Sequence, residues 1–321
     1  MFDSSTHLLL TGGTGFFGLA LMRHWQALGQ DAPRVTVLSR NPDRFKARYP
    51  DLAALVEWIH GDVLVPATLP FDRRFTHVLH GATDSTFGPR LSPLDRYTQI
   101  VDGTKNILDL AVKTGTYRFL LTSSGGVYGP QPQDMERIPE SYNGMPDPLN
   151  VVNAYGIAKR CAEHLCSLYQ ERHGIETIIA RCFAFVGRDL PLDVHFAIGN
   201  FIRDAQISPQ ITVAGDGMPI RSYLDQRDLA GWLLTMLRIG KPGYAYNLGS
   251  DQAITIADLA FLVRDVACPN KPVRILSNMR HDNGRNLYVP DVTRARETLG
   301  LEVTISLEKA IKDTVDAVRA R

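Results

Sequence analysis

The sequence is poor in features that would set a special class. Its 321 residues include only four cysteines, Cys161, Cys166, Cys182 and Cys268, none at a metal-ligand spacing and too sparse for a disulfide framework. Cys161 and Cys166 flank an apolar helical face, which predicts buried thiols and no metal site. Charge of either sign is not in excess: 35 basic residues stand against 34 acidic ones, a formal +1. No long-range field therefore favours nucleic acid or an anionic membrane, and an anionic ligand must be held by a few local groups. The first residues offer no basic segment followed by a long apolar core, and no apolar run reaches spanning length. Internal repeats and low-complexity segments are missing too. These absences predict a soluble, cytoplasmic, globular protein without nucleic-acid or membrane partners.

What is present begins at Leu8-Leu9-Leu10-Thr11-Gly12-Gly13-Thr14-Gly15-Phe16-Phe17-Gly18. A short apolar strand runs into a glycine turn and then a helix, the pattern of a dinucleotide fingerprint. The glycines permit positive φ, close approach of a pyrophosphate, and close packing of helix on strand. The new helix N-terminus turns N–H groups and the positive dipole end toward phosphate. Gly12, Gly15, Phe16, Phe17 and Gly18 are thus candidate cofactor-binding residues.

Short apolar runs then alternate with helical patterns, which predicts a parallel sheet with crossover helices. Strands are expected at 7–11, 35–38, 59–63, 77–80, 118–122 and 176–180. Helices are expected at 15–29, 93–114 and 153–173. After residue 181 the alternation loosens. The fold class expected is α/β: a Rossmann doubly wound parallel sheet over residues 1–180, to which the chain returns around 222–250. A smaller mixed α/β substrate domain occupies most of 181–321. Ligands in such sheets bind outside the carboxyl ends of the strands, so the second domain is expected over that edge.

The tip of the second strand bears on cofactor choice. An acid there would bond the adenosine ribose hydroxyls and repel a 2′-phosphate. This chain has Ser39-Arg40. Arg40 suits a 2′-phosphate, so NADP is preferred over NAD.

Tyr155 and Lys159 stand one turn apart within the third helix, downstream of Ser123-Ser124 at the end of a strand. A phenol is a poor base at neutral pH, and a neighbouring ammonium with an oxidised nicotinamide favours phenolate. A serine hydroxyl can orient a substrate oxygen while the proton moves to or from Tyr155 and hydride moves to or from the ring. Ser124, Tyr155 and Lys159 form a candidate catalytic set.

Several strings occur together in one order: the glycine turn, Gly61-Asp62-Val63, His80-Gly81-Ala82, Gly103-Thr104, Ser123-Ser124-Gly125-Gly126-Val127-Tyr128-Gly129 and Tyr155-Gly156-Ile157-Ala158-Lys159. Gly215-Asp216-Gly217, Arg221-Ser222-Tyr223 and Tyr246-Asn247-Leu248-Gly249-Ser250 follow, then Asp291-Val292-Thr293-Arg294-Ala295 and Leu299-Gly300-Leu301. Together they resemble the extended short-chain dehydrogenase/reductase family, in its nucleotide-sugar epimerase/dehydratase branch.

The resemblance implies roles. Ser124 would be the active-site hydroxyl, Tyr155 the acid/base and Lys159 the residue that orients the cofactor. Asp62 would bond the adenine amino group, with Val63, Gly81 and Ala82 along the cofactor. Arg221 would meet the substrate diphosphate, with Arg280 or Arg285 as a second cation, and Ser85 and Asn200 would touch the nucleotide sugar. A homodimer through the two long helices is a family-level expectation.

Departures from the family pattern also matter. Dehydratases of the family carry an acid just after the active-site hydroxyl, where this chain has Gly125 and Gly126, so dehydration is disfavoured unless Glu136 or Glu140 substitutes. Ala184, Ile100 and Ala158 replace a common Asn, Asn and Ser. Three readings follow: an epimerase at sugar C4, an NADPH-dependent 4-keto-6-deoxy-sugar reductase, or a non-catalytic dinucleotide-binding protein.

Overall fold

The computed structural model describes residues 2–83, 90–276 and 286–320. Six strands, β1 (His7–Thr11), β2 (Arg34–Ser39), β3 (Glu57–His60), β4 (His77–His80), β5 (Arg118–Ser124) and β6 (Glu176–Cys182), pair in parallel. With the strand Ala245–Leu248 they form one seven-stranded sheet, in the spatial order Ala245–Leu248, β6, β5, β4, β1, β2, β3. Strand order therefore reverses between β1 and β4. This is where an open parallel sheet leaves a crevice at its carboxyl edge.

Local chemistry accounts for the elements around that crevice. Every residue of β1 is buried, as a strand covered on both faces requires. Helix α1 (Phe16–Leu28) follows the glycine turn and buries Leu19, Leu21, Met22 and Trp25, ending at Gly29 with φ 58°. Short helices α2 (Pro42–Arg48) and α3 (Pro50–Ala53) lead to β3. Helix α4 (Pro93–Thr114) starts at Ser92, whose hydroxyl accepts the Asp95 N–H, and stops at Gly115 in the left-handed region. Helix α5 (Ala154–His173) stops in the same way at Gly174. One face of the sheet packs on both: Leu9, Phe119 and Leu121 lie in one cluster with Ile107, Leu108 and Ala111 of α4 and Ala158, Ala162 and Cys166 of α5.

Three strands end two or more residues away from where the sequence predicts, while β2 is longer by one residue at each end and β3 starts two residues early. β3 stops at His60 because the Asp62 carboxylate accepts the Leu64 N–H and the Asp62 N–H donates to Thr68, which turns the chain. β5 and β6 run on to Ser124 and Cys182, since the pair Ser124 and Cys182 is still in register. The long helices lie within a residue of their expected bounds.

The chain divides into two compact units. The first comprises 1–127, 145–182 and 230–246, the second 128–144, 183–229 and 247–321. The second contains helix α6 (Ala197–Ile207) and small sheets, among them Ile220–Arg221 between Ile254–Thr255 and Leu287–Tyr288. Asn247 ties its segments together: Nδ2 donates to the Ile138 and Asp291 carbonyls, Oδ1 accepts from the Tyr128 hydroxyl, and its N–H meets the Glu140 carboxylate. No helix among the described residues is long and apolar enough to cross a membrane.

Candidate active site

At the strand-order reversal, Thr11 and His80 are register partners on β1 and β4. Their side chains fix one another. The Thr104 hydroxyl donates to the Ile100 carbonyl at 2.7 Å, so its oxygen accepts from His80 Nε2 at 3.2 Å. His80 Nδ1 then carries no proton and accepts the Thr11 hydroxyl at 2.7 Å. The Thr11 oxygen in turn accepts the N–H groups of Gly81 and Ala82, each at 3.2 Å. Burial pushes the imidazole down to about 3, with the Lys159 charge adding to the shift, so the ring stays neutral.

This network brings Gly81 against the glycine turn. Gly12 has φ 77°, and a Cβ there would run into the Gly81 carbonyl. A Cβ on Gly13 would strike Val37, and one on Gly18 would strike the Gly13 carbonyl. Gly15 is different. Its φ is −92°, and a Cβ would meet nothing nearer than the Gly12 oxygen at 3.5 Å. No side chain caps the N-terminus of α1. Packing within the protein therefore explains three of the glycines and leaves the open backbone at Gly15 to a ligand. An uncapped helix end beside open backbone suits a pyrophosphate, so the residues present fit a dinucleotide.

The remaining sequence-chosen cofactor residues lie along the same edge. Ser39 ends β2, with its hydroxyl accepting the Asn41 N–H, and Arg40 beyond it is exposed. Asp43 turns away to pair with Lys46. Asp62 commits one carboxylate oxygen to Leu64, and Gly103 of α4 packs close to Val63.

Helix α5 presents Tyr155, Lys159 and Glu163 in successive turns of one face. Its first turn is drawn onto the segment after β5 by Gly156, where a Cβ would lie 2.6 Å from the Gly126 carbonyl. Ser124 and Tyr155 consequently flank Gly126. A Cβ on Gly126 would lie 3.2 Å from Ser124 Oγ and 3.7 Å from the Tyr155 ring. Ser124 Oγ itself accepts the Gly126 N–H at 3.0 Å.

Lys159 is 3% exposed and bonds Thr83 Oγ1 at 2.9 Å and the Thr122 carbonyl at 2.7 Å. Burial pushes its ammonium down to about 8, opposed by Cys182 and Glu163. One turn on, Glu163 is held by Arg181 at 2.7 Å and accepts the Ser123 hydroxyl at 2.5 Å. The Cys166 and Cys182 thiols are both raised by burial, Cys182 to about 12.

Of the residues chosen from sequence, the glycine turn, Gly81, Ala82, Ser124, Tyr155 and Lys159 all belong to the first unit. Asn200 and Arg221 belong to the second. Asn200 lies inside α6, its Oδ1 accepting from Arg203 at 3.2 Å. Arg221 donates to its neighbour's carbonyl at Ile220. Ser85, Arg280 and Arg285 lie outside the described residues. Sequence reading missed the Thr11–His80–Thr104 network, Thr83, and the Glu163–Arg181 pair. Thr11, His80 and Thr104 stand within the ordered strings of the sequence, which is their signal; nothing in the sequence singles out Thr83.

Both acids considered as substitutes after Ser124 belong to the second unit. The Glu140 carboxyl is 4% exposed, raised by burial, and engaged by Asn247 at 2.8 Å and Arg294 at 3.7 Å. Glu136 is 86% exposed beside Arg137.

Residues 8–249 match the model of the NAD dependent epimerase/dehydratase family. The chain belongs to this family. Among its relatives, UDP-glucuronic acid decarboxylase 2 of Arabidopsis thaliana is 30% identical over 315 residues, covering 98% of this chain and 68% of the relative. UDP-glucuronic acid decarboxylase 1 of Xenopus tropicalis is 29% identical, covering 97% and 72%. The fold matches UDP-glucose 4-epimerase of Thermotoga maritima with a TM-score of 0.84 at 21% identity, over 98% of this chain and 99% of that one. It also matches dTDP-glucose 4,6-dehydratase of Bacillus anthracis with a TM-score of 0.81 at 18% identity, over 99% and 97%. This NAD-dependent epimerase/dehydratase family member thus keeps the family's sheet and glycine turn.

Two outcomes are expected. Gly12→Ala forces a left-handed residue into the Gly81 carbonyl and should cost about 2 kcal/mol or more, lowering the melting temperature without any cofactor. Gly15→Ala should leave that temperature nearly unchanged and weaken dinucleotide binding; equal destabilisation by both would contradict the assignment. Secondly, His80 is depressed in the fold relative to its ordinary 6.5. Its contribution is complete above that value and is lost as pH falls toward 3, because only the unfolded chain takes the proton. Denaturant titrations of His80→Asn should show a shallower loss of stability from pH 6 to 4, by up to about 1.4 kcal/mol per pH unit.

Proposed function

We propose that this protein is an NAD(P)-dependent nucleotide-sugar oxidoreductase that works at the sugar C4 carbinol or ketone, with epimerisation as its outcome. The observation that carries the reading is the Ser124, Gly126, Tyr155 and Lys159 arrangement, in which a hydroxyl and a phenol flank a position that bears no side chain. When bound, the nicotinamide supplies reversible hydride acceptance. In this reading Ser124 orients the C4 oxygen, and Tyr155 takes the C4 hydroxyl proton and returns it. Lys159 holds the cofactor end of the site and lends positive charge. No acid stands at position 125 or 126, where the family's dehydratases carry one, and this supports hydride chemistry at C4 over elimination of water. Oxidation and return of hydride at C4 need only the Tyr155 proton.

Arg40 supports NADP as the cofactor in this proposal, because a guanidinium at the β2 tip suits a 2′-phosphate. NADP in turn keeps a second reading in view, a reductase of 4-keto-6-deoxy sugars that releases oxidised cofactor. The names of the relatives favour a third. Oxidation at C4 of a sugar bearing a C5 carboxylate gives a β-keto acid, which loses carbon dioxide before hydride returns. A cytoplasmic homodimer paired through α4 and α5 is part of the same proposal, and a monomeric mass in solution would reject it.

Incubation with nucleotide sugars, their 4-keto derivatives and UDP-glucuronic acid, with each cofactor, separates these outcomes by product. Tyr155→Phe should lower turnover at least about 100-fold and leave cofactor affinity within a few-fold, whereas Lys159→Ala should reduce both. In the same binding titrations Arg40→Ala should lose affinity for NADP(H) and not for NAD(H). Wild-type turnover by Tyr155→Phe would refute the mechanism, and no selective loss in Arg40→Ala would refute the cofactor choice.

A further inference from the structure

The first turn of α4 carries a cation that the reaction described above does not use. Arg96 lies four residues after the Ser92 cap, its N–H bonded to the Ser92 carbonyl at 3.0 Å. Its guanidinium carbon sits 4.2 Å from the centroid of the Tyr155 ring. That is well inside the range at which a cation is drawn to an aromatic face. The side chain is half-buried, and its charge also reaches Lys159, where it acts to lower the ammonium. Arg96 of α4 therefore lies on the Tyr155 ring, and its charge is also felt at Lys159 one turn further along α5.

We propose that Arg96 is a second cationic partner of Tyr155, a positioning residue that fixes the ring and stabilises the negative charge it carries when it accepts the substrate's proton. The proposal rests on the reading of Tyr155 as the acid/base. An arginine on the ring face attracts the neutral phenol through its quadrupole and attracts the phenolate more strongly, since the added charge spreads into the ring.

The two cations are not equivalent. Lys159 is buried and held down to about 8, so its charge declines over the mildly alkaline range. A guanidinium stays charged throughout. Arg96 thus supplies the part of the field that does not titrate. Among the described residues, the other titratable or charged groups facing the Tyr155 and Lys159 pair are Glu163 and Cys166 from α5, His80 from β4 and Cys182 from β6. His80 is neutral, and both thiols are raised well above neutrality. The Glu163 charge is matched by Arg181. From β5 the Thr122 carbonyl accepts from Lys159, and Ser124 Oγ accepts the Gly126 N–H.

The test is a near-ultraviolet tyrosinate titration in which the signal of Tyr155→Phe is subtracted to isolate Tyr155, run on wild type and Arg96→Met. The Tyr155 midpoint should rise by about one pH unit in Arg96→Met, a roughly tenfold change in its ionisation constant. Arg96→Lys should recover part of the shift. In turnover, the acid limb of the kcat profile should move up by the same amount with KM unchanged. Should Arg96→Met fail to fold, Arg96→Gln removes the charge and keeps a polar stem. An unmoved midpoint in a folded Arg96→Met or Arg96→Gln protein, judged by circular dichroism and melting temperature, overturns the proposal. The titration needs no substrate. A moved midpoint without nucleotide-sugar turnover would sink the activity reading alone, and turnover with an unmoved midpoint would sink this one alone.

Discussion

The hydrogen bond between Thr11 and His80 is the constraint on which the candidate cofactor site depends. It joins β1 to β4 at the one place where the order of the sheet reverses, and Thr104 extends it to α4. The same threonine oxygen gathers the Gly81 and Ala82 N–H groups, so the chain leaving β4 must pass close to the chain leaving β1. Gly12 is a glycine because of that approach. A histidine in this position is tolerable only while neutral, and burial keeps it so. A polar network of this kind is specific because each member is satisfied by the next, and a missing partner leaves a buried group unpaired.

Much of the sheet and part of the site were legible in the sequence, for physical reasons that differ by residue. The strands showed because a strand covered on both faces is continuously apolar, as at Leu8-Leu9-Leu10. The ends of α4 and α5 showed because only glycine closes a helix cheaply in the left-handed region, as Gly115 and Gly174 do. The end of β3 misled, since Gly61-Asp62-Val63 continues the apolar rhythm while the Asp62 side chain bends the backbone. Arg96 was not legible. A charged residue in the first turn of a long helix reads as solvent-facing, and only the packing of α4 on α5 turns it onto a tyrosine. Glu163 was hidden in the same way, its burial depending on an arginine from β6 and a serine from β5.

Gly126 and Gly156 show how close packing can define chemistry by exclusion. Gly156 lets α5 approach the segment after β5, which brings Tyr155 beside Ser124. Gly126 leaves the space between them without a side chain. Of the two acids considered as substitutes, Glu140 holds the fold around Asn247 and Glu136 faces solvent. A deep carboxyl raised by burial is thus a structural group here, although the same shift elsewhere would mark a catalytic one.

The buried cysteines have a practical consequence for the protein's life in an oxidising cell. Only a thiolate reacts readily with peroxides, disulfides or alkylating agents. Cys166 and Cys182 lie beside Lys159 yet stay protonated at neutral pH, because burial outweighs the nearby ammonium. Cys166 is fully buried and Cys182 nearly so while the sheet and α5 hold together. Thiol reagents acting on the folded protein therefore meet the half-buried Cys161 and Cys268 before the interior pair, which become reachable as the fold opens.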